Sequence, residues 1–166
     1  MAKKKPLKND TDWLKLIAAI IICEAVGGIG AIFTMQAIPT WYATLAKPFF
    51  SPPNWVFGPA WTILYALMGV SAYLIWQHGI GRKDVKFALN VFGIQLALNF
   101  AWSILFFGLR SPFYGVVEII FLWLAIVSTI ACFYKIDKRA AYLLIPYILW
   151  VSFAAMLNLA VMLLNP

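Results

Sequence analysis

Residues 41–61 read WYATLAKPFFSPPNWVFGPAW. Four prolines (Pro48, Pro52, Pro53, Pro59) and three tryptophans (Trp41, Trp55, Trp61) fall within these 21 residues. Proline fixes φ and removes a backbone donor, and it pushes the preceding residue toward extended geometry. Pro48 to Pro53 therefore cannot be helix interior, and the stretch reads as a stiff, aromatic-studded loop. Tryptophan favours a boundary where its ring is buried and its N–H stays wet, as at a membrane–water interface. The expected role is a structured lid over the end of a helical bundle.

What lies on either side of the loop supports that reading. The chain has 166 residues, 64% of them hydrophobic and only 11% charged, with a mean hydropathy of +0.87. A water-soluble domain needs more polar surface than this. A spanning helix needs roughly 20 mostly apolar residues, and five such runs are expected at about 13–35, 55–76, 86–108, 112–134 and 141–164. The fold class is thus an all-α integral membrane protein, a five-helix bundle whose first loop is the lid. Residues 13–166 form its single membrane domain. Residues 1–12, MAKKKPLKNDTD, are expected to be a disordered basic cytoplasmic tail. Glu24 interrupts the first apolar run and no small-x-small cleavage site follows before Trp41, so this run is a span and not a removed signal.

The net charge is +7, a value that invites a nucleic-acid reading. Its placement argues otherwise. Eleven of the 13 Lys and Arg (3, 4, 5, 8, 15, 82, 83, 86, 135, 138 and 139) fall on one side of a five-span topology, leaving Lys47 and Arg110 on the other. The positive-inside rule then puts the amino terminus in the cytoplasm and the lid outside. Nucleic acid is not an expected partner; the lipid bilayer is. Cys23 and Cys132 lack metal-ligand spacing and read as small buried hydrophobes. His78, the single histidine, lies in a loop and reads as solvated.

Several spans carry polar or small residues in a pattern. In span two, Trp61, Tyr65, Met68 and Ala72 share a helical face. In span three, Gln95, Asn99, Trp102 and Phe106 share one face, and amides in an apolar helix need internal partners. Opposite them, Gly93, Ala97 and Ala101 form a small-residue ridge, read either as a homodimer contact or as ordinary packing within the bundle. Span four carries Glu118 near its start, and span five carries Trp150, Ala154 and Asn158 at i, i+4 and i+8. At about 1.5 Å per residue, these polar and aromatic positions converge at one depth beneath the lid. They describe a pocket for a flat, mostly apolar ligand, for which tetrapyrroles and sterols have the right shape. In span one, GGIGA (27–31) would let a backbone or a flat ligand approach closely. Glu24 is costly there, either as a structural carboxyl or as a functional one. No nucleophile–base set, metal cluster or phosphate loop occurs, so no cofactor or metal is expected. Any enzymology would rest on tryptophan photochemistry or redox chemistry.

WYATLAKPFFSPPNWVFGPAW, LYALMG, QLALNFAWSILFFG and LLIPYILWVSFAAMLN together closely resemble the TspO/MBR family, the bacterial tryptophan-rich sensory proteins and mitochondrial translocator proteins. The resemblance covers nearly everything from residue 23 onward. It implies a five-helix bundle, often dimeric, whose first loop closes a pocket for porphyrins and benzodiazepine-type ligands. By position it assigns Trp41, Tyr42, Trp61, Asn99, Trp102, Phe106, Glu118, Trp150 and Ala154 to that pocket, alongside Tyr65, Gln95 and Asn158 from the faces above. It also implies that Trp61 and Trp150 would be the catalytic pair if protoporphyrin IX is degraded under light. Departures exist. The end of span five, NLAVMLLNP, has no Tyr followed by Lys or Arg, so sterol binding through that weak pattern is not expected. Phe50 stands where relatives commonly carry Trp, and Glu24 belongs to no ligand motif. Three readings follow: a transporter or stress sensor binding porphyrin-like molecules, a porphyrin photodegrader, and a structural partner protein. A cell membrane is the expected location, with the mitochondrial outer membrane as the alternative.

Overall fold

A computed structural model describes residues 12–166; the expected basic tail at 1–11 lies outside them. Among the described residues the structure is helical, with no strand. The elements are α1 (Trp13–Ala37), α2 (Trp41–Thr44), a 3-10 turn (Asn54–Val56), α3 (Phe57–Trp76), α4 (Lys83–Ser103) continued by a π-helical turn (Ile104–Gly108), α5 (Pro112–Tyr134), α6 (Lys138–Leu143) and α7 (Ile145–Leu164). Five stretches are long and apolar enough to cross a membrane: Trp13–Ala37, Asn54–Trp76, Lys83–Gly108, Pro112–Tyr134 and Lys138–Leu164. This is a multi-pass integral membrane protein. Its long apolar surfaces stay exposed because the bilayer, not the protein, covers them.

Local chemistry sets where the helices begin and end. Asp12, assigned above to the tail, is the N-cap of α1, its carboxylate accepting the Lys15 N–H at 3.2 Å. Ser111 and Asp137 cap α5 and α6 in the same way. Pro112 sits in the first turn of α5, where its missing N–H costs nothing. Arg110, at φ 52°, holds the left-handed conformation that stops the preceding helix. The last span breaks at Leu144, between α6 and α7, with Pro146 in the first turn of α7.

Between membrane helices the hydrophobic effect gives little, so close packing and internal hydrogen bonds hold the bundle together. At Gly69 of α3 the backbones of α1 and α3 nearly touch: a Cβ there would lie 2.6 Å from the Ile20 Cα. α1 packs on α3 and α4, α4 on α5, and α5 on α7, while α3 reaches the last span through α6. One end of the bundle gathers polar ties. The Ser71 hydroxyl donates to the Ala140 carbonyl at 2.7 Å, and Tyr73 accepts from the Asp12 N–H at 3.1 Å. His78 is not the solvated loop residue expected from sequence. Its side chain is 18% exposed and its Nε2 lies 3.4 Å from Asp137, itself 8% exposed. The other end carries the Pro/Trp-rich segment and a cavity.

Candidate functional site

The cavity has a volume of about 450 Å³, within the range of about 300–1,000 Å³ common for small-molecule sites. α1, α3, α4 and α7 supply its walls, and residues of the 38–56 segment its upper margin. Aromatic rings line it in tilted, edge-on and stacked pairs. Trp61 lies 5.6 Å from Tyr65 and 6.3 Å from Tyr147. Trp150 meets Phe57 at 6.0 Å, and Trp102 stacks on Phe106 at 5.0 Å with 10° between the planes.

The segment above the cavity is held by side chains, since its prolines exclude a regular ladder. Tyr42 packs against Phe106 and Phe107 at 6.2 and 5.8 Å. The Lys47 ammonium stands 4.7 Å from the Tyr42 ring centroid. Asn165, beyond the end of α7, holds Ala46 from both sides, accepting its N–H at 2.9 Å and donating to its carbonyl at 3.0 Å. Phe49 projects outward instead, and Trp55, though exposed, borders the cavity.

Beneath the rings a buried polar network joins three helices. Tyr65 of α3 donates to Asn99 Oδ1. Asn99 Nδ2 and Gln95 Nε2, both on α4, donate to the Tyr147 hydroxyl of α7 at 2.7 and 3.0 Å. Asn158 accepts the Trp102 indole N–H at 3.3 Å and donates to the Pro112 carbonyl at 2.9 Å. Both side-chain ends of Asn99 thus have internal partners, whereas Gln95 is paired only through Nε2 and its Oε1 is buried without a partner. The Trp150 indole N–H is buried at the cavity without a partner.

Nine of the twelve ligand-site candidates line this one space: Tyr42, Trp61, Tyr65, Asn99, Trp102, Phe106, Trp150, Ala154 and Asn158. Three do not. Trp41 packs on Phe106 at 5.5 Å from a neighbouring position, because successive residues of a helical turn point about 100° apart. Gln95 lies a turn deeper than Asn99 and is spent on Tyr147 and the Met68 sulfur. Glu118 belongs to α5, which contributes no wall, and both its carboxyl oxygens are buried without a partner. Phe106 and Asn158 crowd against α5 at Gly115 instead. The dimer candidates Gly93 and Ala97 are exposed on the outer face of α4, and Ala101 is half-buried.

Sequence reasoning missed the wall supplied by α1. Glu24, Gly27, Gly28 and Ala31 recur at i, i+3, i+4 and i+7 and all face the cavity. The signal was present in GGIGA and in the mid-span acid, but nothing in the sequence says which helix α1 faces. Cys23 is buried and Cys132 half-buried, and both are free thiols; no group of metal-ligating side chains occurs among the described residues.

Comparison with known proteins gives a consistent result. Residues 19–164 match the family model described as the TspO/MBR family. The chain is 50% identical over 152 residues to the tryptophan-rich protein TspO of Archaeoglobus fulgidus, covering 92% of this chain and 97% of that one. It is 41% identical over 135 residues to the translocator protein of Homo sapiens, covering 80% and 79%. With the tryptophan-rich sensory protein of Cereibacter sphaeroides it shares 34% identity over 155 residues, 93% of each chain.

Proposed function

Since this chain belongs to the TspO/MBR family, we propose that it binds flat, largely apolar ligands of the porphyrin type in the cavity beneath the 41–54 segment, as a membrane transporter or sensor. One observation carries the reading: Trp61, Trp102 and Trp150 line a single cavity that also contains Asn99 and Asn158. Ring faces would stack on a planar ligand, and the amides would orient it. The names translocator protein and tryptophan-rich sensory protein, borne by its relatives, agree with transport or sensing here. The 41–54 segment would act as the lid, anchored at Ala46 and Tyr42. Trp150 also borders a second, shallow recess with Pro52, Pro146, Leu149 and Phe153.

The test is a protoporphyrin IX titration of purified protein in the dark, followed by tryptophan emission. Saturable quenching is expected in the wild type, weakened in Trp150→Phe and Asn99→Ala. A flat response at every concentration would remove the basis of the reading.

A second reading rests on the same cavity. With Trp61 and Trp150 both at its wall, bound porphyrin under light would be broken down, with dioxygen as oxidant. Illuminated absorbance should then decay with the wild type and much more slowly with both changed to Phe. Equal decay would reduce the role to binding.

The exposed ridge of Gly93 and Ala97 is the proposed contact of a homodimer. Ala97→Leu should then shift sedimentation toward the monomer, and unchanged sedimentation would discard the contact. We place the protein in the cell membrane, amino terminus in the cytoplasm, from the distribution of Lys and Arg. A membrane-impermeant amine reagent applied to intact cells should label Lys47 and spare Lys83; the reverse would invert the topology.

A further inference from the structure

Glu24 is the one carboxyl among the side chains that line the cavity, which include no lysine, arginine or histidine. It stands near the middle of α1, in a stretch long and apolar enough to span a membrane, where a carboxyl is expensive unless something meets it. No lysine, arginine or histidine among the described residues forms an ion pair with it. The polar groups of the neighbouring network are committed elsewhere: Tyr65 donates to Asn99, and Asn99 to Tyr147.

The wall around the carboxyl is built to leave it reachable. The next cavity-facing positions along α1 are Gly27, Gly28 and Ala31, which together contribute a single methyl group. A Cβ at Gly28 would meet nothing within 4 Å, so that wall is open space, whereas Gly27 is closed by the Tyr65 ring. A structural carboxyl in a span would be expected to be enclosed and paired. This one is unpaired and half-buried beside an apolar cavity.

We propose that Glu24 is a specificity-determining residue: it selects ligands that bring a basic or N–H-bearing nitrogen to the α1 side of the cavity, and rejects those that bring a carboxylate there. The inference rests on the cavity being a ligand site, and it deepens that reading by giving the ligand a direction. A ligand that also carries acidic side groups would turn them away from α1. A hydrogen bond to a charged group in a dry site is strong, and a like charge brought beside one is repelled.

Three tricyclic probes of nearly equal shape test this: 9-methylanthracene, 9-(aminomethyl)anthracene and anthracene-9-carboxylate. Each is titrated into protein in phosphatidylcholine nanodiscs, read by energy transfer from tryptophan and corrected against empty nanodiscs. In the wild type the amine should bind about tenfold tighter than the methyl compound, and the carboxylate about tenfold weaker, as one charge-assisted contact implies. In Glu24→Gln and Glu24→Ala the three should converge to within about twofold. Equal affinity of amine and methyl compound in the wild type overturns the proposal without any variant. So does an amine preference that survives both substitutions. The neutral compound reports on the cavity alone: if none of the three binds saturably, the reading of the cavity as a ligand site falls, and this inference with it.

Discussion

Gly27 and Gly28 are sequence neighbours under opposite constraints. The Tyr65 ring occupies the place of a Gly27 side chain, while a Gly28 side chain would enter open cavity. Gly27→Ala must therefore push Tyr65 off its hydrogen bond to Asn99, and overpacking of this kind costs about 1–3 kcal/mol. Gly28→Ala should leave the thermal midpoint in detergent unchanged. Equal midpoints for the two variants would mean that Tyr65 does not pack as described. The sequence announced that this stretch of α1 was small, but not which glycine was filled. That depends on α3, 38 residues away for Tyr65 against Gly27. Trp41 and Tyr42 show the same limit: the motif marks both, and only the turn of α2 decides which one faces the cavity.

Among the elements, the connections at 77–82 and 135–137 are joined by titratable groups. The Arg139 guanidinium donates to Asp137 at 2.8 and 3.2 Å, helped by the Arg139 backbone N–H at 2.9 Å and by His78. These donors hold the Asp137 carboxyl down at about 2, with Arg139 the leading cause. The unfolded value is near 3.9, so the folded form binds its proton less readily than the unfolded chain does. The contribution to stability is then complete above about pH 5 and disappears as the pH falls toward 2. Melting temperatures of wild type and Asp137→Asn should differ at pH 6 and converge in acid; a gap that persists at pH 2 would assign the effect to something other than this carboxylate. The charge pattern in the sequence identified this end of the bundle but treated its residues as a topology signal. The pairing of His78 with Asp137 spans 59 residues, and no periodicity within either segment reports it.

At the scale of the whole molecule, the five apolar spans were legible because bilayer thickness fixes the length of an apolar run; the short helix α2 and the division of the last span into α6 and α7 were not. Rise per residue converts position to height along each helix, and it brought most of the polar candidates to one cavity. Which helices stand side by side was not legible, and this is why Glu118 was assigned to a cavity from which α5 is excluded. The network of Tyr65, Asn99, Gln95 and Tyr147 fixes three of those helices to one another. Tyr65→Phe strands the Asn99 oxygen, and Asn99→Leu strands the Tyr65 hydroxyl while Tyr147 keeps its bond from Gln95, each at about 1–3 kcal/mol. The double variant should cost less than the sum by about 1 kcal/mol or more, read from unfolding in detergent; strict additivity would mean that the groups act independently. Heredity follows from that coupling. A lineage drifting from this sequence meets a barrier at each of the four positions taken singly and a lower path when partners change together, so mutation handles the four residues as one character.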